Sequence, residues 1–377
     1  MIFNFLLALL ALLISTQLCD AYIMTCYAKT GHPKPEDIDP HLCTHLLLIN
    51  DCTLNETGIH FPNVNMVRRY NKLKKKNPDL KVLVSLTPSN RYISEIAVQD
   101  SKIAAMSAIV RNYLLDNQLD GFDIDWEFPV WSADAAITDR DGLSRMVKVD
   151  GQEKLREDFD ASGRKLLLTM AVCSLYNIVE RAYDGPELNK YVDMVQIMNY
   201  DTHLYSKWHP FTGFNAPLRP APYELFLLGR LNSEYATNFW LGFGIDASKL
   251  VFGIPVYGIG FEAAHETPPL SACAYIKSSK YQYFWDKYAA SPYLVQDRNW
   301  LGIEDVHSVT EKAQYAKQLG IGGVMVFALD SDDYAGRCGE GKFPLTKAIR
   351  TVMQSPNRTF ASSPLKFEVV EPFRRVA

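Results

Sequence analysis

Apolar, β-branched residues recur along this chain in short runs separated by longer stretches of helical periodicity. Eight such runs stand out: Ile23–Tyr27, His45–Asn50, Lys81–Leu86, Gly121–Glu127, Lys165–Val172, Met194–Tyr200, Leu250–Val256 and Gly323–Leu329. Between them, Asn65–Lys76, Lys102–Asn117 and Val309–Leu319 read as helices, the last closed by Gly320 at a C-cap position. Strands that alternate with helices form parallel sheets, and eight of them predict a closed (β/α)8 barrel. Six alternations would have suggested an open doubly wound sheet. The Gly-rich phosphate loop that such a sheet carries after its first strand is absent.

One interval breaks the rhythm. About seventy residues separate the last two runs, far more than a usual connection. The part at about 261–299 is rich in Tyr, Pro and Ala and reads as a small inserted subdomain. The expected organisation is therefore residues 22–354 as the barrel and 355–377 as an extended tail.

Composition narrows the class. Hydrophobic residues make up 47% and charged residues 22% of 377 positions, which excludes disorder as the main state. Lys plus Arg number 39 against 43 for Asp plus Glu, a net charge of −4, which argues against nucleic acid as the partner. The apolar run from Ile2 to Ile14 is short for a membrane span and ends at small Ala21. Residues 1–21 read as a cleaved signal peptide, although no Lys or Arg precedes the apolar run. The mature chain is then expected to be secreted and, after cleavage, free of membrane contact. Six cysteines would remain, Cys26, Cys43, Cys52, Cys173, Cys273 and Cys338, and an oxidising compartment favours bridges among them. Asn55 and Asn357 head glycosylation sequons.

The segment that carries chemistry is Asp120-Gly121-Phe122-Asp123-Ile124-Asp125-Trp126-Glu127. Strand side chains alternate faces, so Asp123, Asp125 and Glu127 share one face and Phe122, Ile124 and Trp126 the other. In a barrel the acidic face points inward and rises to Glu127 at the C-terminal mouth, where barrel active sites lie. Stacked buried carboxylates raise one another's proton affinity, so one is expected to stay protonated near neutral pH and serve as a general acid. Divalent metal binding by the Asp-x-Asp pair is a rival, but no further ligand set accompanies it. His41 and His45 have a zinc-like i, i+4 spacing only on a helix, which Pro40 and the following β-rich run argue against. No metal and no cofactor are expected.

At this motif the sequence resembles glycoside hydrolase family 18, the chitinases and chitinase-like lectins. Their pattern D-x-x-D-x-D-x-E is filled by Asp120, Asp123, Asp125 and Glu127. Met198-Asn199-Tyr200-Asp201, Asn215-Ala216-Pro217-Leu218, Gly253-Ile254-Pro255-Val256-Tyr257-Gly258 and Ala328-Leu329-Asp330-Ser331-Asp332-Asp333 resemble further family stretches in the same order. So do Cys26-Tyr27 and Asp39–Leu46.

The resemblance implies substrate-assisted hydrolysis of β-1,4-linked N-acetylglucosamine polymers, an exception to the two-carboxylate scheme. It makes Glu127 the acid, Asp125 the group that orients the acetamido N–H, and Asp123 the residue that tunes Asp125 through a shared proton. Tyr200, Asp201, Met198, Phe327, Tyr27 and Trp208 would line the sugar site, with Trp131 as a further aromatic. Asp120, of opposite strand parity, would support the turn into the strand. The resemblance also pairs Cys26 with Cys43 and Cys273 with Cys338, leaving Cys52 and Cys173 free or joined. A monomer is expected.

Departures from the family qualify the activity. Phe327 stands where a Trp forms the sugar floor, Ile259 where an Arg follows Tyr-Gly, and Leu86-Thr87-Pro88-Ser89 where Gly-Gly-Trp is usual. The alternative is thus a lectin of the same family that binds chitin oligosaccharides without cleaving them. Action on N-glycan cores and a metal-dependent barrel enzyme are the remaining rivals.

Overall fold

The computed structural model describes residues 22–148, 155–204, 211–262, 265–270, 273–277 and 280–356. Eight parallel strands close a barrel: β1 (Ile23–Lys29), β2 (His45–Asn55), β3 (Lys81–Pro88), β4 (Gly121–Ile124), β5 (Leu167–Cys173), β6 (Met194–Met198), β7 (Leu250–Pro255) and β8 (Gly323–Phe327). β1 pairs with both β2 and β8, which closes the ring. Each of the eight predicted runs contributes one of these strands.

The strand bodies are apolar because both faces are covered. Phe122 and Ile124 of β4 are fully buried, and Trp126 just beyond them is nearly so, among the side chains that pack the barrel against its helices. Of the predicted helices, Lys102–Asn117 is Asp100–Asp116, and Asn65–Lys76 is Val64–Asn71 followed by a 3-10 turn at Lys72–Lys75. Val309–Leu319 begins earlier, as Val306–Gln318, where Asp305 accepts from the Ser308 backbone N–H and starts the helix. Gly320 follows with φ +65°, the left-handed conformation that ends a helix cheaply for glycine.

Four strands stop before their runs do, β7 by the single residue Val256. β4 ends at Ile124, although the Asp125 N–H still reaches Leu86 O at 2.9 Å. Neighbouring β3 ends in Pro88, which has no N–H to extend the ladder. The chain then turns at Phe128–Ser132, where the Phe128 N–H donates to Ser132 Oγ. β6 ends at Met198 and β8 at Phe327, so Glu127, Tyr200 and Asp201 sit on loops just above the ring rather than on strands.

Between β7 and β8 lies a five-stranded antiparallel sheet made of Gly258–Glu262, His265–Leu270, Gln282–Asp286, Ser291–Gln296 and Asn299–Gly302. The insertion expected at about 261–299 thus includes a few more residues at each end. Its two ends cross at a pair of glycines: a Cβ on Gly258 would lie 2.5 Å from Gly302 O, so nothing larger fits.

Cys26 and Cys43 are joined. Cys52 and Cys173 are free and buried. Cys338 is also in a disulfide, while the side chain of Cys273 lies outside the described ones. Residues 1–21, Trp208, Asn357 and the rest of the tail are outside the described residues. Among the described residues no helix is long and apolar enough to cross a membrane.

Candidate active site

The deepest member of the acidic ladder is Asp123, fully buried in the barrel. Four strands send it a donor. Tyr27 Oη of β1 and Ser85 Oγ of β3 each donate to Oδ2 at 2.7 Å. Thr169 Oγ1 of β5 donates to Oδ1 at 2.5 Å and Gln196 Nε2 of β6 at 3.0 Å. Burial pushes the carboxyl up from its ordinary range, and the four hydrogen bonds pull it back. Both oxygens face donors, so the carboxyl meets fixed dipoles in place of water, and burial still leaves its proton affinity above the ordinary range.

Asp125 lies one layer higher and is in a different position. It is 4% exposed, and its Oδ1 is buried with no hydrogen-bond partner. Its carboxyl is raised well above the usual range, first by burial, then by the charges of Glu127 and Asp123. It also shares a hydrogen bond with Glu127, so the two carboxyls hold a proton between them. The resemblance led us to expect a proton shared between Asp123 and Asp125. In this structure Asp123 is filled by other donors and the sharing runs upward, to Glu127.

Glu127 faces the mouth and is exposed. Surrounding protein still raises its carboxyl, Asp201 adds to that, and the Asp125 hydrogen bond opposes it. Its backbone is held from below: Asn90 Nδ2 donates to Glu127 O at 3.1 Å, while Trp126 Nε1 donates to Asn90 Oδ1 at 2.8 Å.

The aromatic floor is assembled from three strand ends. Phe327 stacks on Tyr200, with centroids 5.4 Å apart and planes at 26°, and lies 5.5 Å from Tyr27. Met198 packs half-buried against the same group. Tyr200 Oη reaches Met325 Sδ at 3.7 Å, and burial pushes its phenol well up, so it is neutral. Asp201 takes a left-handed backbone, φ +55°, which a short polar side chain tolerates. The turn is fixed because the Asp201 N–H donates to Asn215 Oδ1 at 2.9 Å and Tyr257 Oη donates to Asp201 Oδ1 at 2.6 Å. Ile259 is buried in this cluster. Trp131 is 45% exposed, with the Arg181 guanidinium 5.7 Å from its ring.

The structure therefore brings Asp123, Asp125, Glu127, Tyr27, Met198, Tyr200, Asp201 and Phe327 to one mouth. Asp120 is elsewhere, at the opposite end of β4. Its Oδ2 accepts from the Val82 N–H at 2.8 Å and pairs with Lys74, and Arg164 lies 3.8 Å from Oδ1. That is a support for the strand's entry.

Ser85, Thr169, Gln196, Asn215 and Tyr257 complete the site and carried no role in the reading of the sequence. The first three are polar residues inside otherwise apolar strand runs, the signal that could have found them.

Neither histidine of the zinc-like pair is placed for a metal. His45 begins β2, its ring Nδ1 2.8 Å from Thr44 Oγ1, and burial pushes it down to about 4; His41 is exposed on a loop. Among the described residues no cluster of three or more His, Cys, Asp or Glu could hold a metal ion. A separate 240 Å³ cavity is lined in part by Glu304, Asp305, His307 and Asp332. These three carboxylates are engaged structurally: Glu304 pairs with buried Lys312, Asp305 caps a helix, and Asp332 accepts from Thr346 N and Oγ1.

Comparison with known families now decides the lineage. The family model for glycosyl hydrolases family 18 matches residues 23–332. The chain belongs to family 18. Its relatives include both enzymes and chitinase-like proteins. Chitotriosidase-1 of Mus musculus is 30% identical over 351 residues, covering 86% of this chain and 75% of the mouse protein. Chitinase-3-like protein 2 of Homo sapiens is 27% identical over 375 residues, covering 89% and 93%. Among solved structures, the group IV chitinase of Ostrinia furnacalis in complex with allosamidin superposes with a TM-score of 0.78 at 30% identity, covering 88% of this chain and 98% of that one. The closed parallel barrel is thus a family 18 framework.

Proposed function

We propose that this protein is a secreted chitinase that hydrolyses β-1,4-N-acetylglucosamine linkages with retention. One observation carries the reading: Asp125 and Glu127 share a proton at the barrel mouth while Asp125 Oδ1, buried, has no donor of its own. A buried acceptor without a donor is costly unless a ligand supplies one. The acetamido N–H of an N-acetylated sugar is a group of the right kind. With that sugar bound, Asp125 holds the N–H, and the acetamido oxygen attacks the anomeric carbon. Glu127 gives its proton to the departing glycosidic oxygen. An oxazolinium ion and a shortened chain result. Glu127, now a base, takes a proton from water as the water opens the ion, which restores the acetamido group and gives net retention. Tyr200, neutral and facing the floor, hydrogen-bonds the acetamido oxygen, and Phe327 carries the ring. The Cys26–Cys43 disulfide is consistent with an oxidising, extracellular destination.

A second reading has its own observation. Phe327 offers a smaller platform than an indole and lacks its N–H donor. A sugar held less firmly in the distorted geometry would make this member a lectin for chitin oligosaccharides.

The test is fluorophore release from chitobiose and chitotriose conjugates across pH, for the purified mature protein beside Glu127→Gln. Turnover by the unmodified protein alone supports the chitinase reading. No turnover by either, with chitotriose binding intact, selects the lectin. Neither turnover nor binding overturns both.

A further inference from the structure

We propose that the basic face of the helix leading into β3 is a docking surface for a linear sulfated polysaccharide, which holds the protein by the end of the barrel opposite the mouth. The inference goes beyond the proposed hydrolysis and takes from it only the extracellular setting.

Residues 68–81 hold seven cations, Arg68, Arg69, Lys72, Lys74, Lys75, Lys76 and Lys81, and one acid, Asp79, in a chain whose net charge is −4. The fold sorts them. Val67, Tyr70 and Leu73 turn inward and are buried. Arg69 is taken up by Glu36, which its Nε and Nη2 both reach, and Lys74 by Asp120. Arg68, Lys72, Lys75 and Lys76 are exposed, and among the described residues none of the four makes an ion pair. Glu36, whose charge Lys72 also feels, is already engaged by Arg69. Arg68, Lys72 and Lys76 are spaced by four, and Lys75 stands three beyond Lys72 in the 3-10 turn, so the four share one side. A helix C-terminus welcomes a cation or two through its dipole. Four without counter-charges exceed that and repel one another.

The surplus continues round the entry of the barrel. Asp120 is the acid that Lys74 and Arg164 share, and Lys81 begins β3. Burial, then the charges of Arg164 and Lys81, lower the Lys74 ammonium against the pull of Asp120. Three cations therefore meet one carboxylate at this end.

The shape of the charge selects the ligand. Arg68 to Lys76 spans about 12 Å at the helical rise, too long for a single phosphate or sulfate and suited to a strand that carries anions along its length. A bilayer fits less well. The helix exposes Val64 as its one large apolar side chain, so it has little to enter lipid, and anionic lipid is concentrated on the cytoplasmic leaflet. Outside the cell, sulfated polysaccharides carry linear negative charge at the required density.

The test is binding of heparin, the probe, to the purified mature protein between about 50 and 200 mM NaCl. The unmodified protein should show a log–log salt slope of about −3, the value for four cations on a single-stranded polyanion. The combined variant Arg68→Gln, Lys72→Gln, Lys75→Gln, Lys76→Gln should lose about a hundredfold in affinity at the lower salt, with a flatter slope. A control removes the same charge elsewhere, at exposed Lys102, Lys287, Arg298 and Lys347, each to Gln, and should stay within severalfold of the unmodified protein. Should the combined variant not fold, Lys75→Gln with Lys76→Gln repeats the comparison with an expected loss of about tenfold. Equal loss in the patch and control variants overturns the proposal, because bulk charge would then explain the binding. Tighter binding to vesicles of equal phosphatidylcholine and phosphatidylserine than to heparin overturns it in favour of a membrane. Turnover of the chitotriose conjugate should be the same in all these proteins. An unmodified protein without turnover would overturn the chitinase reading, and the heparin comparison would still decide the role of this face.

Discussion

The two ends of β4 carry the same kind of side chain and treat it in opposite ways. At the entry, Asp120 has Lys74 and Arg164 as counter-charges and a backbone N–H as donor. At the exit, no lysine or arginine among the described residues forms an ion pair with Asp125 or Glu127. One of the Asp125 oxygens lacks any partner, and the two carboxyls share a proton. Asp123, between them, is a third case, fully buried yet served by four neutral donors. A carboxylate whose needs are met by cations becomes a structural fixture. One whose needs are left open stores affinity for a proton and for a ligand.

The sharpest way to break this contrast is Glu127→Gln. Removing the acid should lower kcat by about a thousandfold, while chitotriose affinity, measured by calorimetry, stays within severalfold. Equal loss from Asp120→Asn would abolish the distinction between the ends.

The next effect concerns stability and reverses the usual expectation for a mutation at a buried motif. Burial and neighbouring charge raise the Asp125 and Glu127 carboxyls above their ordinary range. The protonated forms are therefore favoured by folding. Their contribution is complete below the unfolded carboxylate range, about pH 4, and is lost as pH rises through the raised folded values. Asp125→Asn should then melt about 2–4 °C higher than the unmodified protein at pH 7, with the gain vanishing near pH 4. A gain that persists at acid pH would mean packing, rather than charge, is its source.

At the entry the sign is opposite. Asp120→Asn removes two counter-charge contacts and weakens the bond to Val82 N, at a cost of about 1 kcal/mol and a melting temperature lower by about 2–3 °C, with turnover unchanged. The smallest effect is expected at Asn90, which braces the mouth through Trp126 and Glu127 O. Asn90→Ala should reduce kcat by less than about tenfold, with the affinity for chitotriose preserved.

Much of this could be read from the order of residues. Period-two alternation puts Asp123, Asp125 and Glu127 on one face, and their occurrence among Phe122, Ile124 and Trp126 requires that face to be enclosed. The eight strands followed from apolar runs of the right length. What the order of residues could not supply was the identity of partners far away in the chain. Gln196 is 73 positions from Asp123, and Thr25 is 171 from Gln196. Only ring closure brings them together, and no local propensity encodes it. The limits of β4 and β6 were missed for a related reason. Composition continues to favour a strand through Trp126 and Tyr200, but a ladder ends where its neighbour stops offering hydrogen bonds. Asp120 was legible because its parity already set it apart from the other acids.

The glycine crossing at Gly258 and Gly302 has a consequence of another order. β7 and β8 are adjacent in the ring, so the inserted sheet leaves from one strand and returns to its neighbour through a single narrow waist. Material added to or removed from that sheet changes neither the circumference of the ring nor the register of any of its strands. The near end of the sheet, at Ile259 and Phe261, packs into the cluster that holds Tyr200 and Phe327. A sheet hung on such a waist can be lengthened or trimmed at its far edge as one module.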